Sequence, residues 1–428
     1  MSLVNLVVQP ATSLSGEIEL PPSKLYTQIA CALAILAEGK STIESPLRVK
    51  DTNVMFKAAE VMGATVKRTQ ERLSVWGVGN NMKPAQNAID AKNSGTAAGL
   101  LTSIATLALT PTVINGDVQL RSRPMPALLQ VLRRMGADVH STKPDDSLPF
   151  VVFGGGLSGG KVKLSEAEMR YLPAVLLPAP YAKKNVEFSV PPGWRKLQLE
   201  PTLALMKTAH AKITENRGII SVRNHPYHAF NYKVEREVVG AAPFIVAAGL
   251  LDSRLRVRGM KEISFRDLNF LKALKSFGLK LCTSGKLIEV EGKYRLRGTK
   301  LDLSWAPELL PLMAVLSCAA SGKTLIRNAE EARTMKSDRI SAIAQELRRM
   351  QARVLEQSDG LVIQGPAKLK GCEVDGHGDY AVVSALAVAG LLAEGKTVIK
   401  NGADALSVSY SRFVSTFQSL GAEMSYSS

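Results

Sequence analysis

The residues best suited to chemistry in this chain are cations placed where backbone N–H groups gather. Ser23-Lys24 follows Pro21-Pro22 and opens an apolar run, Ile29, Leu33 and Leu36, at a helical spacing that Gly39 closes. A lysine at a helix N-terminus is unfavourable unless an anion offsets it, so Lys24 reads as a phosphate or carboxylate ligand. Lys92-Asn93-Ser94-Gly95-Thr96 precedes a second apolar helix. Asn and Ser cap helices and Gly lets a backbone approach closely, so this stretch is either an anion nest or a plain cap. Arg121-Ser122-Arg123-Pro124 lies between a strand and a helix. Two guanidiniums beside a proline-fixed turn make a fork for phosphate or carboxylate, or only a basic loop. Arg333-Thr-Met-Lys336-Ser337-Asp338-Arg339 occupies the corresponding place further on, with Ser337 or Asp338 free to cap the helix that follows. Glu308, Asp338 and Asp379 stand at element junctions and could serve as general acids or bases. His225-Pro-Tyr-His228 cannot be a helical metal pair because of its proline, and reads as a surface turn; His377 has no assignable role. There is no Walker A loop, HExxH or GxSxG.

Composition fits small anionic ligands. The chain has 428 residues and a net charge of +16, with 46% apolar and 21% charged residues, which describes a globular protein of two large domains that attracts anions. Aromatics are only 5%, too few for a base-stacking surface, so no nucleic-acid partner is expected. Cys31 and Cys318 lie in apolar helical runs and read as core residues of a reduced, cytoplasmic protein. The first sixteen residues read as a strand rather than a signal peptide. The apolar stretch from Leu309 to Ala320, interrupted by Pro311, is too short to span a membrane.

The elements that must position these residues repeat. Second helices end at Gly63, Gly136, His210, Gly278, Gln351 and Gly421, at intervals of about 70 residues, longer than a stacked solenoid uses. EGKSTIES, GKTLIRN and EGKTVIKN are echoes of one strand. Each repeat is a βαβαββ unit. Its first helix, such as ALAVAGLLA, is apolar all round and therefore buried; its second, such as ISAIAQELRRM, is amphipathic. Six repeats make two pseudo-threefold domains. The strand before Pro21 lies outside the first repeat and could complete the sixth repeat's sheet. One domain would then be discontinuous, residues 1–20 with 232–428, and the other inserted, residues 21–231, with a ligand cleft expected between them.

In order along the whole chain, these motifs resemble the enolpyruvyl transferases, and among them the 5-enolpyruvylshikimate-3-phosphate (EPSP) synthases. PPSKLYTQIACALAILAEG is similar to the archaeal opening PPSKSYTHRA. DAKNSGTAAGLL resembles the family's NxGT helix start, INGDVQLRSRPMPALLQVLRRMGADV its arginine-proline segment, and LIRNAEEARTMKSDR its RxKESDR region. The resemblance implies an α/β (α+β) fold of two inverse-barrel-like domains with three βαβαββ units each. It also implies transfer of the enolpyruvyl group of phosphoenolpyruvate to shikimate-3-phosphate, with release of phosphate, in aromatic amino-acid biosynthesis. Such an enzyme needs no metal or organic cofactor, has small anionic substrates as its partners, and is expected to be a cytoplasmic monomer. Carried over by position, Lys24, Glu308 and Lys336 fall on catalytic positions. Ser23, Asn93, Gly95, Arg123, Arg170, Arg333, Arg339 and Asp379 fall on substrate-binding ones. The chain departs from the motifs at Leu25, Ile29, Gly99, Glu168-Met169-Arg170, Met335-Lys336, Tyr380-Ala381 and Val408. Of these, Ile29, Gly99, Ala381 and Val408 stand where the family has a cation. These departures carry an alternative expectation: a scaffold that binds another anionic ligand.

Overall fold

The computed structural model describes residues 4–427 apart from 84, 193–198, 262, 403 and 407–409. It divides into two compact lobes, Pro22–Glu235 and Met1–Pro21 with Arg236–Ser428, each built on its own apolar core. The helices are α1 (Lys24–Leu36), α2 (Lys50–Val61), α3 (Gly95–Ala105), α4 (Pro126–Arg134), α5 (Glu166–Met169), α6 (Leu172–Leu176), α7 (Leu199–Thr208), α8 (Ala242–Leu250), α9 (Phe265–Ser276), α10 (Leu310–Ala319), α11 (Arg339–Arg349), α12 (Tyr380–Leu392) and α13 (Phe413–Ser419).

Each lobe carries three four-stranded sheets, and all six sheets share one plan. In the fifth repeat, Lys300–Asp302 pairs parallel with Gly322–Arg327. That strand pairs antiparallel with Gly360–Gly365, which pairs antiparallel with Arg353–Gln357. The first repeat reaches the same plan by a return of the chain, since Asn231–Lys233 supplies the parallel edge strand beside Gly39–Glu44. The N-terminal segment is two strands rather than one. Asn5–Val8 lies between Thr397–Lys400 and Met424–Ser427 in the sixth repeat's sheet, while Ser15–Glu19 is the parallel edge strand of the fourth. Together these six sheets and their helices form the two-domain inverse-barrel architecture of mixed α/β class.

The periodicity of the sequence explains the layers. In α12, every residue from Ala381 to Leu391 is buried, as is every residue of α1 from Tyr26 to Leu36; neither helix has a polar face to offer solvent. In contrast, α11 buries Ile340, Ile343, Ala344 and Leu347 and turns Arg348 and Arg349 outward at its last turn, where cations suit the helix dipole. All six second helices end on a residue in the left-handed region: Gly63, Gly136, His210, Gly278, Gln351 and Gly421 have φ of 98°, 92°, 66°, 100°, 71° and 97°. That conformation lets the final amides turn back onto the last carbonyls, as when Ala352 N–H donates to Leu347 O. Pro311 does not interrupt an apolar helix. It sits in the first turn of α10, where a missing N–H costs nothing. Cys31 and Cys318 are core residues, and burial pushes both thiols up to about 12. Among the described residues no helix is long and apolar enough to cross a membrane.

Candidate active site

In the inserted lobe, the N-termini of α1 and α3 meet. Ser23 caps α1, its hydroxyl accepting from Tyr26 N–H at 3.2 Å, and Ser94 caps α3, accepting from Ala97 N–H at 3.2 Å. Gln28, fully buried on α1, ties the two starts together. Its amide donates to Ser94 Oγ at 2.9 Å and to Asp51 O at 3.0 Å. The charge that offsets Lys24 is internal: Nζ lies 3.1 Å from Oδ2 of Asp51, a carboxylate only 1% exposed in the first turn of α2. Asp51 and Gln28 were not singled out in the sequence, since neither belongs to a charged motif and their contacts span 23 to 66 residues.

The Lys92–Thr96 stretch resolves into two functions. Ser94 is the cap, whereas Asn93 is turned to the arginine-proline segment. Its Oδ1 accepts from Arg123 Nη2 at 2.5 Å and its amide donates to Gln119 Oε1. Gly95 opens α3, and the nearest side-chain atoms to a Cβ there would be in Met125 and Leu120. The two arginines of the expected fork have different neighbours. Arg123 is directed to Asn93, while Arg121 lies in the field of Asp90 and its carbonyl accepts from Lys143 Nζ at 2.6 Å. Arg170 lies with its guanidinium 4.9 Å from the Tyr171 ring centre, and among the described residues its buried Nε–H has no acceptor. Tyr171 also flanks Gly99, where an added Cβ would lie 3.7 Å from the ring. The adjoining Glu168 is structural, held by Arg134 at 2.8 Å and by Ser165 N–H at 2.8 Å. Burial opposes its charge, but these partners keep its carboxyl below the usual range.

In the discontinuous lobe the site forms around Arg339 and Asp379. Asp379 caps α12, accepting from Ala381 N–H at 2.9 Å, and pairs bidentately with Arg339 through Nε–Oδ2 of 2.7 Å and Nη2–Oδ1 of 2.9 Å. Both side chains are sealed from solvent, 3% and 0% exposed. Burial alone would raise the Asp379 carboxyl. The Arg339 guanidinium, the Ala381 N–H and Lys336 outweigh it and hold the group below the usual carboxylate range. Burial likewise opposes the Arg339 charge, and Asp379 and Tyr380 reverse that effect. Ser337 Oγ donates to Asp379 Oδ2 at 3.1 Å, and Lys336 Nζ sits 5.2 Å from the centre of the Tyr380 ring. Glu308 stands on the turn Pro307–Leu309 that leads into α10. Its carbonyl accepts from Arg339 Nη1 at 3.4 Å and its carboxylate pairs with Arg266 of α9.

Asp338 caps α11 through Ile340 and Ser341 N–H. Arg333 is placed apart from the Arg339–Asp379 pair. Its guanidinium meets Asp338 at 2.7 Å and Glu356 at 2.9 Å, and donates to Ser358 O and Gln357 O. It therefore fastens the turn before α11 to the hairpin that follows it. The His225–His228 turn is not simply a surface feature, since Tyr227 between the histidines is fully buried and donates to Leu177 O at 3.0 Å. His377 contacts Glu346 Oε1 at 3.3 Å.

A family profile described as EPSP synthase (3-phosphoshikimate 1-carboxyvinyltransferase) matches residues 8–417. The chain belongs to the EPSP synthase family. Its relatives include the 3-phosphoshikimate 1-carboxyvinyltransferases of Methanococcus aeolicus, 32% identical over 432 residues, and Methanocaldococcus jannaschii, 33% identical over 425 residues. Each alignment covers 98% of this chain and 99% of the relative. Among solved structures, the EPSP synthase of Acinetobacter baumannii superposes with a TM-score of 0.81 at 22% identity, covering all of both chains, a likeness of fold. Within this family frame, Ile29 and Ala381 are buried in α1 and α12, Gly99 is covered by Tyr171, and Val408 lies outside the described residues.

Proposed function

We propose that this EPSP synthase family member joins phosphoenolpyruvate to shikimate-3-phosphate, and that it does so in the cytoplasm as a monomer without a cofactor. The acceptor hydroxyl adds to the enol carbon as the methylene carbon gains a proton. The resulting tetrahedral adduct then loses inorganic phosphate and a methyl proton, which re-forms the carbon–carbon double bond and leaves the product as an enol ether. The observation that carries this reading is the family match along nearly the whole chain.

The chemistry needs cations to hold two polyanions and carboxylates or amines to move protons. In the inserted lobe, Lys24, Arg123 and Arg170 supply the cations, while Ser23, Asn93 and Gly95 shape the helix starts beside them. Asp51 balances Lys24, so a substrate phosphate competes with a buried carboxylate for that ammonium. In the discontinuous lobe, Arg339 is held by Asp379 in one fixed orientation, and Lys336 stands over Tyr380. Glu308 and Lys336 are the groups proposed to exchange protons with the adduct. Arg333 acts at one remove, by holding Asp338 and hence the start of α11.

Phosphate release by the purified protein with both substrates tests the assignment. Sustained release that requires both compounds supports it. Folded protein that binds neither compound and releases no phosphate overturns it.

A further inference from the structure

We infer that Arg266 is a positioning residue for Glu308: its guanidinium aims that carboxylate and keeps it ionised. The inference rests on the proposed role of Glu308. Arg266 is the second residue of α9, a part of the chain that none of the charged motifs includes. Its side chain is 16% exposed and that of Glu308 26%, so the pair lies largely out of water, where a contact between opposite charges is screened little. Among the described residues, Glu308 is the ion-pair partner of Arg266, and the buried Nε–H of the guanidinium has no acceptor. The neighbouring Asp267 carboxylate also lies in the field of this guanidinium, but the direct contact is to Glu308.

The backbone beneath Arg266 is fixed. Ser264 caps α9, accepting from Asp267 N–H at 3.1 Å, and the buried Asp267 accepts from Val239 N–H at 2.9 Å. These bonds lock the first turn of α9 on both sides of Arg266. Glu308 is fixed in turn through its carbonyl, which accepts from Arg339 Nη1. The long reach of a glutamate lets its carboxylate meet Arg266 while its backbone stays bound to Arg339.

The other charged groups nearby are already engaged or lie on neighbouring turns. Asp267 faces Val239 N–H, Arg339 faces Asp379, and Lys336 stands by Tyr380; Glu330 and Glu331 lie on the 3₁₀ turn packed beside that of Glu308. Arg266 is therefore the cation in direct contact with the Glu308 carboxylate. A guanidinium so placed favours the carboxylate over the acid.

The test compares Arg266→Gln and Arg266→Lys with the parent enzyme. Loss of the cation should move the acidic limb of the kcat profile upward by about one pH unit or more. It should also lower kcat while leaving the KM for phosphoenolpyruvate within about twofold, because Arg266 holds Glu308 and not the substrate. Arg266→Lys should restore the limb. An unmoved acidic limb in Arg266→Gln overturns the inference. A second measurement stands apart from turnover. In a double-mutant cycle of Arg266→Gln and Glu308→Gln, read by thermal melting, the two changes should be non-additive at pH 7, and the coupling should shrink as acid protonates the carboxylate. Additive shifts at pH 7 overturn the inference even if the enzyme turns over. Non-additive shifts in a protein without turnover uphold the ion pair while refuting the proposed reaction.

Discussion

Replacing Asp379 by Asn would expose how much of the discontinuous lobe depends on one buried charge pair. Asn retains a side-chain oxygen for Ala381 N–H, so the cap on α12 survives, but the charge opposite Arg339 is lost. Arg339 is 3% exposed and both of its contacts to Asp379 are short, 2.7 and 2.9 Å. Stranding a buried guanidinium in this way costs about 3–5 kcal/mol, a large share of the roughly 5–15 kcal/mol by which a typical domain is stable. Urea unfolding followed by circular dichroism reads the change as a lower midpoint with an unchanged slope. The pH dependence has a fixed sign. The native Asp379 carboxyl is held below its usual range, so its contribution is complete above the unfolded value of about 3.9 and is lost as pH falls through the native value. The gap between parent and Asp379→Asn should therefore be constant from pH 5 to 8 and close in acid. Replacing both partners at once, Asp379→Leu with Arg339→Met, should recover much of the loss, because no charge is then left buried. A loss below about 1 kcal/mol for Asp379→Asn, or a gap that widens in acid, would refute the reasoning.

Two further outcomes follow from the backbone and the core. Gln351 holds the left-handed helix end that glycine holds in four of the other repeats, so Gln351→Gly should stabilise the protein by about 1 kcal/mol in the same urea assay; a loss would count against the left-handed geometry. Ile29 is fully buried in α1, so Ile29→Arg should cost about 3 kcal/mol or more and leave phosphate release no faster; a stable, faster variant would mean that α1 can turn that position to the site.

Much of the fold was legible in the sequence because it depends on local rules. The six helix ends picked out by Gly63, Gly136, His210, Gly278, Gln351 and Gly421 all take positive φ, and the two that are not glycine follow the repeat all the same. The apolar helices were legible for the same reason, as α1 and α12 have no polar face to misread. What escaped is long-range. Asn5–Val8 does join the sixth repeat's sheet, as the repeat pattern suggests, but Ser15–Glu19 as the edge of the fourth depends on partners about 240 residues away, and periodicity carries no record of partners. At the site, Lys24, Asn93, Arg123, Arg339 and Asp379 were visible as residue types, but their pairing was not. Lys24 faces Asp51, Arg123 faces Asn93, and Arg333 is spent on Asp338 and Glu356. Arg266 and Gln28 gave no signal, since one arginine in an amphipathic helix and one glutamine in an apolar helix look like surface and filler respectively.

Phosphorus NMR of the purified protein with shikimate-3-phosphate and phosphoenolpyruvate follows the enolpyruvyl transfer itself. The phosphoenolpyruvate signal should be replaced by inorganic phosphate one for one with a new phosphorylated product, and Lys24→Met should slow this conversion at least tenfold. Unchanged spectra after prolonged incubation with folded protein, or conversion at an equal rate in Lys24→Met, would contradict the proposed function.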